Sequence, residues 1–311
     1  MSVRISKYEK HGLCHGFRIL RFFRSLTPTR PTLRMTGGLP SGNVPGVMDG
    51  DLLLIHSSSW RTLSRMTTPD SVPHPSATDE RWTIRIGGFS LILGALAFMA
   101  VFTFLAVRFN YPDVLDGQAS DVLPALLSMG DVGRAVWAIY ALLPLIWIPA
   151  AVGAFHALRR QSEGAVRAGL LFAVISAVAM MAGLMRWPSF HWELARVYVN
   201  AAPSVRPALE AVFNASNSYL GNYIGELLGE LCFSIFFLLS SMAMLKRASG
   251  FPRWIGWFGI VTAVAGLIGM FRNANPIVAP IAEVNNYLLP IWMIIFGVSL
   301  VRFQQHSSSS V

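Results

Sequence analysis

The sequence predicts an all-α fold that spans a membrane as a bundle of six helices, with both termini on the cytoplasmic side. Three observations carry this expectation. Long apolar runs occupy about 86–107, 135–158, 168–185, 219–245, 254–271 and 284–301. A run of roughly 18 or more apolar residues crosses a hydrocarbon core of about 30 Å as a helix. Next, 53% of residues are hydrophobic and 13% charged, with a mean hydropathy of +0.50. Soluble domains carry roughly 25% charged residues, and a single aqueous core at this length does not hide so much apolar surface. Finally, Lys and Arg favour one side of the short loops, the bias that marks a cytoplasmic face. Nine stand on that face (Arg81, Arg85, Arg159, Arg160, Arg167, Lys246, Arg247, Arg253 and Arg302), and six on the other (Arg108, Arg134, Arg186, Arg196, Arg206 and Arg272).

The segment ahead of the spans, 1–80, reads as a disordered basic tail. It mixes Pro, Ser, Gly and Arg without period, and holds ten Lys/Arg against six Asp/Glu. Such a composition buries too little apolar area to offset chain entropy. Its longest apolar piece, 52–55, is shorter than the 7–15 residues of a signal-peptide core. The Arg-rich stretch 1–34 also fits an amphipathic surface helix or a transit peptide. Met66, some twenty residues before the first span, is the expected translational start. The membrane domain is then 81–303, followed by a short tail, 304–311.

The first span is free of charge. The loop after it, 109–132, is acidic (Asp113, Asp116, Asp121 and Asp131) and has helical patterning near 122–129. The second span carries Pro144 and Pro149, and the sixth carries Pro290. A proline inside a helix removes a backbone hydrogen bond and kinks it. Between spans three and four, 187–212 shows helical patterning at 191–199. Trp187, Trp192, Tyr111 and Tyr219 suit an interfacial aromatic belt. The turn Leu158-Arg159-Arg160-Gln161-Ser162 is echoed by Leu245-Lys246-Arg247-Ala248-Ser249, which is compatible with a parallel duplication or with two alike cytoplasmic turns.

The fourth span carries the sharpest signal. Ser218, Asn222, Glu226, Glu230 and Ser234 recur every four residues, and successive members lie about 40° apart on an α-helix. Beside them run Gly221, Gly225 and Gly229, the small-residue spacing that lets two membrane helices pack closely. A charge near the centre of a membrane helix costs roughly 2.5–3.5 kcal/mol, so Glu226 and Glu230 are expected to have a counter-charge or a shared proton. Arg134, Arg186 and Arg272 stand at the outer ends of spans and are the candidate partners. Asn222 and Tyr223 join them as candidate ligand or proton contacts, with further polar help from Tyr140, Asn273, Asn275, Asn285 and Asn286. The functional alternative is an outward-facing polar pocket for a proton, an ion or a small ligand. The structural alternative is a clamp between helices.

Other chemistry lacks its motifs. Cys14 and Cys232 are too few for a disulfide framework or a zinc site. His156 stands alone at the inner end of span two. His191 and Glu193 offer an acid–base pair in an outer loop, but no His-Glu-x-x-His, Glu-x-x-His, Walker loop or Gly-x-Ser-x-Gly elbow occurs. No cofactor, metal or catalytic residue is expected, and the basic balance belongs to membrane flanks and not to nucleic acid. Oligomeric state is not legible. Three functions therefore compete: ligand or ion binding and transport at Glu226 and Glu230, a structural or regulatory role with a membrane-protein partner, and a membrane enzyme using His191 and Glu193.

The run 131–160, the turn Gly250-Phe251-Pro252-Arg253-Trp254-Ile255-Gly256-Trp257 and the ending 289–302 resemble a bacterial six-span family, domain of unknown function 4386. The resemblance covers about 82–303. It implies an inner-membrane protein with six spans, favours the start at Met66, and supplies no reaction or site residue.

Overall fold

The computed structural model describes residues 77–304 apart from Ala248, all within the unit Pro69–Val311. The sequence expectations for the tail, including the start at Met66, and for the last residues lie outside the described residues. Every regular element described is helical. Four helical stretches are long and apolar enough to cross a membrane: Thr78–Phe109, Gly130–Asn200, Arg206–Met244 and Pro276–Val301. The described part of the chain is thus all-helical and of membrane type, and its apolar helices are consistent with association with a lipid bilayer.

Helix α1 (Ala77–Phe109) opens with Asp79 and Glu80 in its first turn and ends with Arg108 in its last, matching the helix dipole at both ends. It begins four residues before the limit that composition set for the tail. Ile84, Leu91 and Leu105 are buried while Phe89, Leu93 and Leu96 are exposed, so α1 is apolar on both its inner and its outer face. That is how a lipid-facing helix reads. Two glycines set its neighbours. A Cβ on Gly87 would stand 2.6 Å from Gly153 Cα, and one on Gly88 would stand 2.6 Å from Gly297 O. The backbones of 147–185 and 279–301 therefore approach α1 closely.

After α1 the chain turns at Asn110, whose φ of 52° lies in the left-handed region that asparagine tolerates. The short α2 (Ala119–Ser128) follows, then α3 (Gly130–Leu142). Pro144 sits in a 3₁₀ turn, Leu143–Ile146, between α3 and α4 (Trp147–Met185). Within α4, Ser162 leaves helical geometry (φ −162°, ψ 71°), just past Arg159, Arg160 and Gln161. The stretch Gly130–Asn200 is 71 residues long, whereas one crossing takes about 20.

Two more short helices, α5 (Trp192–Asn200) and α6 (Arg206–Ser216), complete the second long connection. They pack with α2 and the ends of α1 and α3 around a separate apolar cluster that includes Leu123, Leu126, Trp137, Trp187 and Phe213. Trp187 is stacked on Trp137 at 4.9 Å. Trp187 and Trp192 are therefore core residues of this cluster and not members of an interfacial belt, whereas Tyr219 is exposed.

A π-helix, Asn217–Leu228, leads into α7 (Gly229–Met244), which packs along α4. Then come α8 (Arg253–Gly269) and α9 (Ala279–Val301). The turn before α8 is built from its own sequence. Gly250 has a φ of +75°, Ser249 Oγ donates to Met244 O at 2.6 Å, and Phe251 stacks on Phe303 at 5.1 Å. The main core joins α1, α4, α7 and α9 through Leu91, Trp147, Phe233, Phe237, Trp292 and Phe296. Trp292 Nε1 donates to Ile255 O at 3.0 Å, which ties α9 to α8.

Candidate polar cavity

A cavity of about 170 Å³ lies between these helices, with Glu226 and Glu230 in its wall. Its other polar lining groups are Arg186, Arg272, Tyr111, Tyr140, Ser234 and Asn285. Its apolar wall includes Phe98, Trp147, Phe233, Leu289 and Met293. Pro144 and Pro290 also line it, at the places where their helices lack a regular backbone hydrogen bond.

The carboxylates reach the cavity because α7 begins late. In the π-helix each N–H bonds five residues back, so a turn takes more than four residues. Residues four apart then drift one way along Asn217–Leu228 and the other way along the α-helix that follows. The row of glycines consequently stays against α4. A Cβ on Gly183 would stand 2.5 Å from Gly225 Cα, and one on Gly229 would stand 2.6 Å from Met180 Cγ. Gly221 faces the Arg186 guanidinium. Ser176 Oγ donates to Gly229 O at 2.8 Å across the same contact.

Arg272 lies in the turn after α8 and holds both acids. Its Nη2 is 2.8 Å from Glu226 Oε2, and its Nη1 is 2.9 Å from Glu230 Oε1. Asn273 Nδ2 also donates to Glu226 Oε2. Burial alone would lower the pKa of Arg272, but the Glu230 and Glu226 carboxylates outweigh it and raise the value above that of ordinary arginine. Arg272 is therefore a fixed positive charge.

Arg186 is held differently. It is buried, at 4% exposure. Nε and Nη2 both donate to Asn217 Oδ1 at 3.1 Å, and Nη1 donates to Gly183 O. Its Cζ lies 5.1 Å from the Trp187 ring centroid, within cation–π range. Tyr111 and Tyr140 close the same region, with their hydroxyls 3.4 Å apart. Burial pushes the Tyr111 phenol up from its ordinary value.

Some residues singled out by sequence lie elsewhere. Arg134 donates to Pro188 O at 2.9 Å and pairs with Glu193 at 3.4 Å, so it is not beside the acids. Asn222 and Tyr223 do not line the cavity, and Tyr223 is exposed. His191 is fully buried under Trp187 and Phe213 and faces Ser216 Oγ at 3.1 Å. Neither His191 nor Glu193 lines the cavity. At the opposite end of α1, Glu80 pairs with Arg159 at 3.0 Å and lies 3.9 Å from His156. Among the described residues no group of three or more His, Cys, Asp or Glu could hold a metal ion.

Tyr111, Asn217 and Trp187 were not legible as members of this site. Tyr111 and Trp187 come from the long connections and Asn217 opens the π-helix after the second one, and the hydrophobic pattern does not encode the paths of these segments. The only signal was that both connections are longer than a simple turn.

The chain matches the family described as Domain of unknown function (DUF4386) over residues 86–301. No curated protein and no solved structure matches it. The chain belongs to this family.

Proposed function

We propose that this DUF4386 member is a six-span protein of the bacterial inner membrane, with both termini cytoplasmic, that binds or transports a small polar ligand, an ion or a proton at the cavity around Glu226 and Glu230. Here the stretch Gly130–Asn200 supplies two crossings separated at Ser162, and α8 supplies a further one. The observation that carries the reading is the concentration of two carboxylates and two guanidinium groups on one cavity. Ionisable groups inside a membrane are costly and mark ligand or ion pathways.

A second reading has one observation in its favour. Arg272 contacts both acids directly, so the triad can serve as a clamp between the Asn217–Met244 segment and the turn after α8. The two readings differ in whether water reaches the cavity. In a Cys14→Ser, Cys232→Ala background, Asn285→Cys is exposed to a small hydrophilic cationic methanethiosulfonate applied from the outer side. The binding reading expects labelling well above that of Phe236→Cys in the core, slowed by Glu226→Gln or Glu230→Gln. Equal inertness of the two cysteines would leave only the clamp.

A further inference from the structure

The charges on the cavity are not distributed evenly. Arg272 carries one positive charge and contacts two carboxylates, at 2.8 and 2.9 Å. That cluster has one negative charge in excess when both acids are ionised. Arg186 is buried in the same wall, and the partners its hydrogen bonds reach, Asn217 Oδ1 and Gly183 O, are uncharged, Glu226 acting on it through space only. A buried guanidinium offers five donors in a planar fork suited to a carboxylate, and three of its hydrogen bonds are made to these two oxygens. On the acid side, Asn285 Oδ1 is buried without a hydrogen-bond partner among the described residues. It belongs to a side chain that lines the same cavity as Glu230 and Ser234. Such an acceptor is normally satisfied. Much of the remaining wall is apolar, with Phe98, Trp147, Phe233, Leu289 and Met293.

We infer that the ligand of this cavity is a small zwitterion with an apolar body, of the amino-acid type, its carboxylate on Arg186 and its ammonium on Glu226, Glu230 and Asn285. This rests on the cavity being a ligand site, and it adds the ligand's chemical class. Glu226 acts on Arg186 as well as on Arg272, so the two acids and the two arginines of the cavity balance. A lone cation or a lone anion would unbalance that set by one charge. A zwitterion keeps the balance while offering a carboxylate to Arg186 and an ammonium to the acids, and its hydrocarbon part meets the aromatic and aliphatic wall.

The test uses the full chain in nanodiscs and reads tryptophan fluorescence, since Trp147 and Trp187 both line the cavity. Leucine is compared with 4-methylpentanoate, which lacks the amine, and with isopentylamine, which lacks the acid. Leucine is expected to give a saturable change, with each single-ended analogue at least tenfold weaker. Arg186→Gln should bring leucine to the level of isopentylamine, and Glu230→Gln should bring it to that of 4-methylpentanoate. If either analogue binds as well as leucine, one pole is not read and the inference is overturned. It is also overturned if neither leucine nor glycine, alanine, phenylalanine or glycine betaine binds. In both cases the cysteine accessibility of Asn285→Cys decides separately whether the cavity reading stands: a labelled cavity keeps that reading without the zwitterion, and an inert one removes both.

Discussion

Removing Arg272 would leave Glu226 and Glu230 facing one another with their shared counter-charge gone. Deleting one partner of a fully buried ion pair costs about 3–5 kcal/mol, much of it the penalty of the stranded charge, and this part-buried triad, with side chains 18%, 26% and 27% exposed, should lose somewhat less. Arg272→Met should therefore lower the thermal midpoint of the detergent-purified protein sharply. Adding Glu226→Gln and Glu230→Gln to that variant should recover most of the loss, because three neutral groups strand no charge. Arg134→Met is the control. Its pair with Glu193 is largely exposed, at 41% and 55%, and exposed pairs contribute about 0–1 kcal/mol. Similar midpoints for Arg272→Met and Arg134→Met would contradict the triad. At this scale the sequence is informative about the acids, because two carboxylates inside an apolar run have few roles. It is not informative about which arginine serves them. Arg134, Arg186 and Arg272 occupy equivalent places in the span pattern, and only the rotation of α3 toward Pro188 and Trp192 takes Arg134 away.

Among the elements, the contact between α4 and the Asn217–Met244 segment depends on glycine where backbones meet. A Cβ on Gly183 would press on Gly225 Cα at 2.5 Å and on Leu220 O at 2.8 Å, and neither backbone atom can swing aside. Overpacking of this kind costs typically about 1–3 kcal/mol, so Gly183→Ala should destabilise the protein and shift the wall that carries Glu226. Gly164 stands just after the Ser162 break with nothing within 4 Å of its Cβ position, and Gly→Ala at an unstrained, open position gains about 0.4–1 kcal/mol by restricting the unfolded chain. The two substitutions are thus expected to move the thermal midpoint in opposite directions. A fall of the same size in both would refute the close-packed contact. The glycine row was readable because spacing alone reports it. The π-helix that keeps the row in place was not, since hydrophobic periodicity distinguishes a helix from a strand but not bonds to i−5 from bonds to i−4. The break at Ser162 lies between the two. Polar residues interrupt the apolar pattern there, yet the helical hydrogen bonding on either side runs up to it.

For the whole molecule the prediction concerns how many times the chain crosses. Four helical stretches qualify by length and composition, and a fifth apolar helix, Arg253–Gly269, has 17 residues, close to the lower end of about 17–25 for a crossing. If Gly130–Asn200 crosses twice and α8 once, the total is six, and residues in successive connections alternate between the two sides. The basic residues support that alternation by nine against six, and orientation follows where Lys and Arg lie in short loops. Single cysteines at Ser128, Glu163, Ser204, Arg247 and Asn273, all exposed positions, distinguish the arrangements in the Cys14→Ser, Cys232→Ala background. In intact cells a membrane-impermeant maleimide should label 128, 204 and 273, whereas 163 and 247 should react only after the membrane is opened. Should 163 react together with 128 and 204, the stretch 130–200 does not cross and return. Reaction of 247 and 273 from the same side would instead remove α8 from the set of crossings. In that event Arg272 would lie on the face opposite to the one assigned here, and an outward-opening cavity at Glu226 and Glu230 could not stand.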